Sequence, residues 1–181
     1  MVNSILTYNI EVLHNINKRE IQSLDKIDLY LIRRSMCVSS KSSRSLLLLE
    51  LGLTSVEYII KRKRINYLQN LLQSESSSIS KKVFLKQVSD KIKGDFVSLV
   101  LKDLEECNIT FSFNDIEQMS KRKFKCIVRD ATNEACFKLL IKEKLKGSKG
   151  SEISYHKLET QPYLMSRSNL SIDAMRKILK N

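Results

Sequence analysis

Residues Leu46–Leu72, LLLLELGLTSVEYIIKRKRINYLQNLL, read as a helix end, a break and a helix start. Gly52 follows the apolar run Leu46–Leu51 and suits the left-handed conformation that closes a helix. Thr54 offers a side-chain oxygen to the next helix. Glu57, three residues on, completes a capping box with it. Apolar residues then recur at helical spacing: Val56, Ile59, Ile60, Tyr67, Leu68, Leu71 and Leu72. Lys61, Arg62, Lys63 and Arg64 interrupt them. At about 100° per residue, Lys63 and Arg64 fall inside the apolar sector. Either their stems lie on the core while the charges reach water, or the helix faces an anionic ligand at this turn.

Working outward, the 181 residues suit one core of ordinary size. One Pro and four Gly argue against a turn-rich β fold and for helices. Lys and Arg number 32 against 20 Asp and Glu, a net charge of +12, which points to nucleic acid or an anionic surface as partner. The excess is uneven: about +7 over residues 61–93, −5 over 94–120 and +9 over 121–181. Cys37, Cys107, Cys126 and Cys136 form no C-x-x-C pair, and neither His14 nor His156 lies near them in sequence. Free thiols in a reducing compartment are expected, with no metal and no cofactor. The N-terminus lacks a basic, signal-type start, and no run approaches the ~20 apolar residues of a membrane span. A soluble intracellular protein, nuclear or cytoplasmic, with no membrane partner is the expectation.

The pattern predicts an all-α, irregular multi-helix domain, in two lobes joined by a Ser-rich hinge. Residues 1–73 form the first lobe, 74–80 (SESSSIS, from Ser74) the hinge, and 81–146 the second lobe. Residues 147–181 are a linker, an extended segment around Pro162 and a terminal helix. Within the first lobe, residues 3–13 read as a short helix. Asn17 opens another, with Glu20 closing a capping box and Ile21, Leu24, Ile27, Leu31 and Ile32 inward. Asp25 and Asp28 lie one turn apart on it, as a solvated or salt-bridged face. Within the second lobe, Val83, Phe84 and Val88 face inward from a helix over Lys81–Ile92. Asp95–Cys107 is strongly periodic. Ile109–Phe111 alternates like a short strand, and Asp115–Met119 is a short helix. Ser120 caps a long helix running to about Leu145, with Phe124, Val128, Ala131, Ala135 and Leu139 on one face. Gly147 ends it.

Leu46–Leu68 resembles the segment that follows the polymerase domain in reverse-transcriptase proteins of non-LTR, LINE-type retrotransposons. Further stretches fit in the same order: ILTYNIEVL (5–13) with IDLYLIRRSM (27–36), KGDFVSLVLKDLEECNI (93–109), MSKRKFKCIV (119–128) with ACFKLL (135–140), and KLETQPYLMSRSNLS (157–171). The family usually carries Trp near Leu13, and often Pro where Ser55 stands. The resemblance implies that the polymerase aspartates and the endonuclease belong upstream of this part. It also implies that the region would help position template RNA or target DNA, with a reverse-transcriptase domain as a partner in trans.

No phosphate-binding glycine loop, nucleophile elbow or zinc-protease motif occurs in the chain. A non-catalytic nucleic-acid-binding fragment is therefore expected, gripping RNA or DNA with little sequence preference. Its contacts would be Lys61, Arg62, Lys63, Arg64, Lys121, Arg122, Lys123 and Lys125, because dense cations bind backbone phosphates. Tyr58, Tyr67 and Phe124 interleave these runs and invite base stacking, although Phe124 also fits the apolar face of its helix. The alternative is a protein-interaction or structural relic, whose mark would be an exposed apolar patch.

Overall fold

The computed structural model of the chain describes Ile10, residues 16–90 and residues 92–146. Among these it is an all-α multi-helix domain: α1 Lys18–Ser35, α2 Arg44–Glu50, α3 Val56–Leu72, α4 Ile79–Asp90, α5 Phe96–Glu106, α6 Phe113–Gln118 and α7 Lys121–Lys146. The helix expected at residues 3–13, the end at Gly147 and everything assigned to residues 147–181 lie outside the described residues.

Helix α3 is the hub. It packs against α1, α4, α5, α6 and α7. Val56 and Ile60 meet Ile10, Ile16, Ile21 and Leu24 on one side. Tyr58, Ile65, Leu68, Leu71 and Leu72 join the larger core on the others. That core also takes Leu48 and Leu49 from α2, Phe84 from α4, Val97, Val100 and Leu104 from α5, and Phe124 and Val128 from α7. It therefore runs across the expected hinge at Ser74–Ser80, whose last two residues already belong to α4, and draws on helices either side of it. A helix covered by five others has little water-facing surface, so some of its polar residues are buried with its apolar ones. Lys61, Arg64 and Gln69 are each no more than 7% exposed.

Three helices end alike. After α2, Gly52 takes φ 63°; its N–H donates to Leu49 (3.3 Å), and Leu53 N–H donates to Leu48 (2.8 Å). That is a Schellman closure at the expected glycine. Asn108 (φ 54°) closes α5 the same way, with Ile109 N–H donating to Leu104 at 2.9 Å. The supposed strand at Ile109–Phe111 is thus the tail of a helix cap: Ile109 is buried and its amide is already used. Cys37 (φ 52°) closes α1, a position where L residues other than Asn and Asp are uncommon.

The start of α3 differs from the expected capping box. The helix begins at Val56 with Ser55 as N-cap, and no side chain caps it. Thr54 Oγ1 instead donates to Asn133 Oδ1 on α7 (2.8 Å) and accepts from Arg62 Nη2 (3.3 Å). The Glu57 carboxylate is taken by Lys61 at 2.8 Å. Thr54→Ala should still cost about 1 kcal/mol, through a lost hydrogen bond rather than a lost cap. Chemical denaturation of Thr54→Ala, Asn133→Ala and the double variant checks this. A coupling energy of at least about 0.5 kcal/mol is expected, whereas a capping role gives additivity.

The Asn17–Glu20 box is present at α1, with reciprocal bonds of 3.0 and 2.8 Å. On the same helix Ile27 turns outward and Leu29 inward. Val83 on α4 is likewise exposed, because Phe84 fills the core position. On α7 the fully buried line is Phe124, Val128, Thr132, Cys136 and Leu140, while Ala131, Ala135 and Leu139 flank it, half-buried. A polar Thr and a thiol thus sit where the apolar pattern placed alanines. All four cysteines are free, Cys107 and Cys136 buried, Cys37 and Cys126 exposed.

Candidate nucleic-acid interface

The two basic runs have opposite fates. The first crosses the hub helix, and its charges are consumed inside. Lys61 Nζ contacts Glu57 at 2.8 Å and Glu106 at 2.5 Å, and lies 4.5 Å from the centre of the Tyr58 ring. Burial disfavours its charge, but the two carboxylates hold its proton affinity above the usual lysine value. Arg64 is buried beside Asp103: Nε lies 2.8 Å from Oδ2, and Nη2 donates to Oδ1 at 3.3 Å. The Nε–H is not aligned on a carboxylate oxygen, so this contact is charge attraction rather than a good hydrogen bond. Glu106 and Asp103 belong to the acidic stretch that follows this run in sequence.

Arg62 is half-buried and turns towards α7. Its Nε donates to Thr132 Oγ1 (2.9 Å), and Nη2 donates to Asn133 Oδ1 (2.6 Å) and Thr54 Oγ1 (3.3 Å). Each of these partners is neutral. Lys63 is half-buried as well. Lys61 and Arg64 therefore stand as internal countercharges, not as an outward patch, and the expectation that all four residues of this run present themselves to phosphate is corrected. The physical cause is the enclosure of α3.

The second run faces water. Phe124 and Val128 are fully buried, which fixes the rotation of α7. Lys121, Arg122, Lys123 and Lys125 are consequently exposed, and none of them makes an ion pair among the described residues. Their helix starts at a defined place. Gln69 and Gln73 side chains both donate to the Met119 carbonyl at 2.9 Å, and Lys81 contacts Glu117 at 3.1 Å. Ser120 Oγ then accepts from Lys123 N–H at 3.4 Å. The positive end of the helix dipole adds to the cations in this turn.

The three aromatic residues that interleave the basic runs do not form a stacking platform. Phe124 and Tyr58 are buried, and Tyr67 packs edge-on against Phe96 with ring centres 5.6 Å apart.

The paired aspartates of α1 also part company. Asp25 accepts two bonds from Arg44, at 2.5 and 3.0 Å, and Arg44 reaches Glu143 at 3.0 Å, so the three link α1, α2 and α7. Asp28 is only 5% exposed, against the expectation of a solvated or salt-bridged face. Burial first, and repulsion from Asp25 second, push its pKa up to about 6, with Arg44 opposing. Among the described residues there is no cluster of three or more metal-ligating side chains, and no helix is long and apolar enough to cross a membrane.

Comparison with protein families, with curated proteins and with solved structures finds no match.

Proposed function

We propose that this chain is a non-catalytic nucleic-acid-binding module, of low sequence specificity, that grips backbone phosphates at the start of α7. One observation carries this reading: Lys121, Arg122, Lys123 and Lys125 are exposed and without ion pairs among the described residues, at the start of a 26-residue helix. Side chains that bond phosphate alone give affinity without base information. The ordered resemblance to the region after a LINE-type polymerase domain supports the same reading. On that basis the module would help position template RNA or target DNA beside a polymerase domain supplied in trans.

The test is a titration of labelled oligonucleotide at several salt concentrations. Replacing Lys121, Arg122, Lys123 and Lys125 together with Gln should weaken binding similarly for all sequences. It should also flatten the log–log salt slope by about 2, the loss of two to three phosphate contacts. Circular dichroism checks that the variant folds. Unchanged affinity in a folded variant removes the reading.

A second reading rests on a specific feature, an apolar groove of about 410 Å³ between α4 and α5. Val88, Ile92, Val97, Leu101 and Phe113 line it, and Ile92 and Leu101 are exposed. A protein-interaction role would use this groove. It predicts that the Gln variant is silent in every assay while Leu101→Asp is not.

A further inference from the structure

The basic start of α7 does not stop at Lys125. At about 100° per residue, Arg122, Lys125, Arg129 and Asn133 fall within roughly 80° of one another around the helix. Asn133 is the residue that receives the Arg62 guanidinium from α3, at 2.6 Å. Arg62 thus arrives at the end of the same face. Among the described residues its guanidinium bonds hydroxyl and amide oxygens alone, those of Thr54, Thr132 and Asn133. Lys61 and Arg64, by contrast, each contact a carboxylate. Arg129 is exposed, and its side chain pairs, among the described residues, with its neighbour Asp130 alone, at 3.2 Å. Burial lowers the proton affinity of Arg62, and Arg129 lowers it further while Asp130 raises it. The guanidinium nonetheless stays charged. The hub therefore holds one arginine in place without neutralising it, beside a row of exposed cations.

We propose that Arg122, Lys125 and Arg129 of α7, together with Arg62 of α3, form one cationic row for the phosphodiester backbone of a nucleic-acid duplex, which it contacts by charge alone. From Arg122 to Asn133 the row is about 16 Å long at 1.5 Å per residue. One duplex strand presents roughly five phosphates over that axial length. Tyr58, Tyr67 and Phe124, the aromatic residues next to the basic runs, pack in or against the core, so among the described residues these three offer splayed bases, the mark of single-strand binders, no platform. Thr54, Thr132 and Asn133 orient the Arg62 fork, which reduces the entropy it loses on binding.

This inference rests on the nucleic-acid reading, and the test separates the two. Duplex DNA and duplex RNA of the same sequence are titrated at several salt concentrations, with the matching single strands alongside. Arg129→Gln and Arg62→Gln should each flatten the salt slope by about 0.9 on duplex and weaken binding about eightfold at 0.1 M salt. Asp130→Asn should shift binding the other way, about twofold tighter, by releasing Arg129. A purely structural Arg62 would change the melting temperature and leave the slope alone. Unchanged slopes in both Arg variants, with the Lys121/Arg122/Lys123/Lys125 variant weakened, overturn the row and leave the general reading standing. Single strands bound tenfold tighter than both duplexes also overturn it. No binding of any strand by the native chain at low salt overturns both. Equal slopes on DNA and RNA identify the shared backbone as the ligand, and unequal ones show which helix fits.

Discussion

Asp103→Ala should destabilise the fold by about 3–5 kcal/mol, the usual cost of removing one partner from a buried ion pair. For a chain of this length that is a fall in melting temperature of roughly 6–20 °C. The side chains of Arg64 and Asp103 are 8% and 5% exposed. Removing the carboxylate leaves a guanidinium inside the protein with neither countercharge nor its 3.3 Å hydrogen bond. Replacing both residues, with Arg64→Met and Asp103→Leu, should recover most of the loss, because an apolar pair avoids the desolvation of both ions. Thermal unfolding of the two variants checks this. A single variant within about 1 kcal/mol of the native chain would mean that Arg64 reaches water. That would return the first basic run to the list of phosphate contacts.

Asp28→Asn should stabilise the protein at pH 7 by up to about 3 kcal/mol, a rise of roughly 6–12 °C, and do little at pH 4. The Asp28 pKa is pushed from 3.8 to about 6 by burial and by Asp25. A carboxyl whose folded pKa lies above its unfolded one binds protons more readily when folded. Its contribution then favours the native state below about pH 4 and fades as pH rises through 6. Asn cannot ionise, so the variant-minus-native difference in stability should grow between pH 4 and 7 and level off above. Unfolding in denaturant at each pH measures that difference. A variant less stable than the native chain at pH 7 would show that Asp28 is charged and satisfied in the fold. The charge on Asp28 is thus a cost of placing α1 against the rest of the bundle, whereas Asp25, three residues earlier, is matched by Arg44.

The elements legible in the sequence were those whose cause is local. Gly52 was readable as a helix end because a φ of 63° is easy for glycine and strained for most other residues. The Asn17–Glu20 box spans four residues and needs nothing else. The all-α class followed from helical spacing and the scarcity of Gly and Pro. The exposure of Lys121, Arg122, Lys123 and Lys125 followed from Phe124 and Val128, neighbours on the same helix whose apolar face was visible in the pattern.

Where a partner lies far along the chain, only the tertiary structure decides. Thr54 could have capped α3, but a hydrogen bond to Asn133, 79 positions away, takes its hydroxyl instead. Nothing local marks Asn133 as the competitor. Ile109–Phe111 alternates like a strand, yet the amide of Ile109 is used to close α5. The basic run at Lys61–Arg64 gives the clearest division. Its sequence showed cations inside an apolar sector, which calls for an anion but does not say whose. Enclosure of α3 by five other helices supplied Glu106 and Asp103 from within for Lys61 and Arg64, and left Arg62 with neutral partners. Periodicity says which side of a helix is apolar; it does not count how many sides are covered, because that number is set by helices elsewhere in the chain.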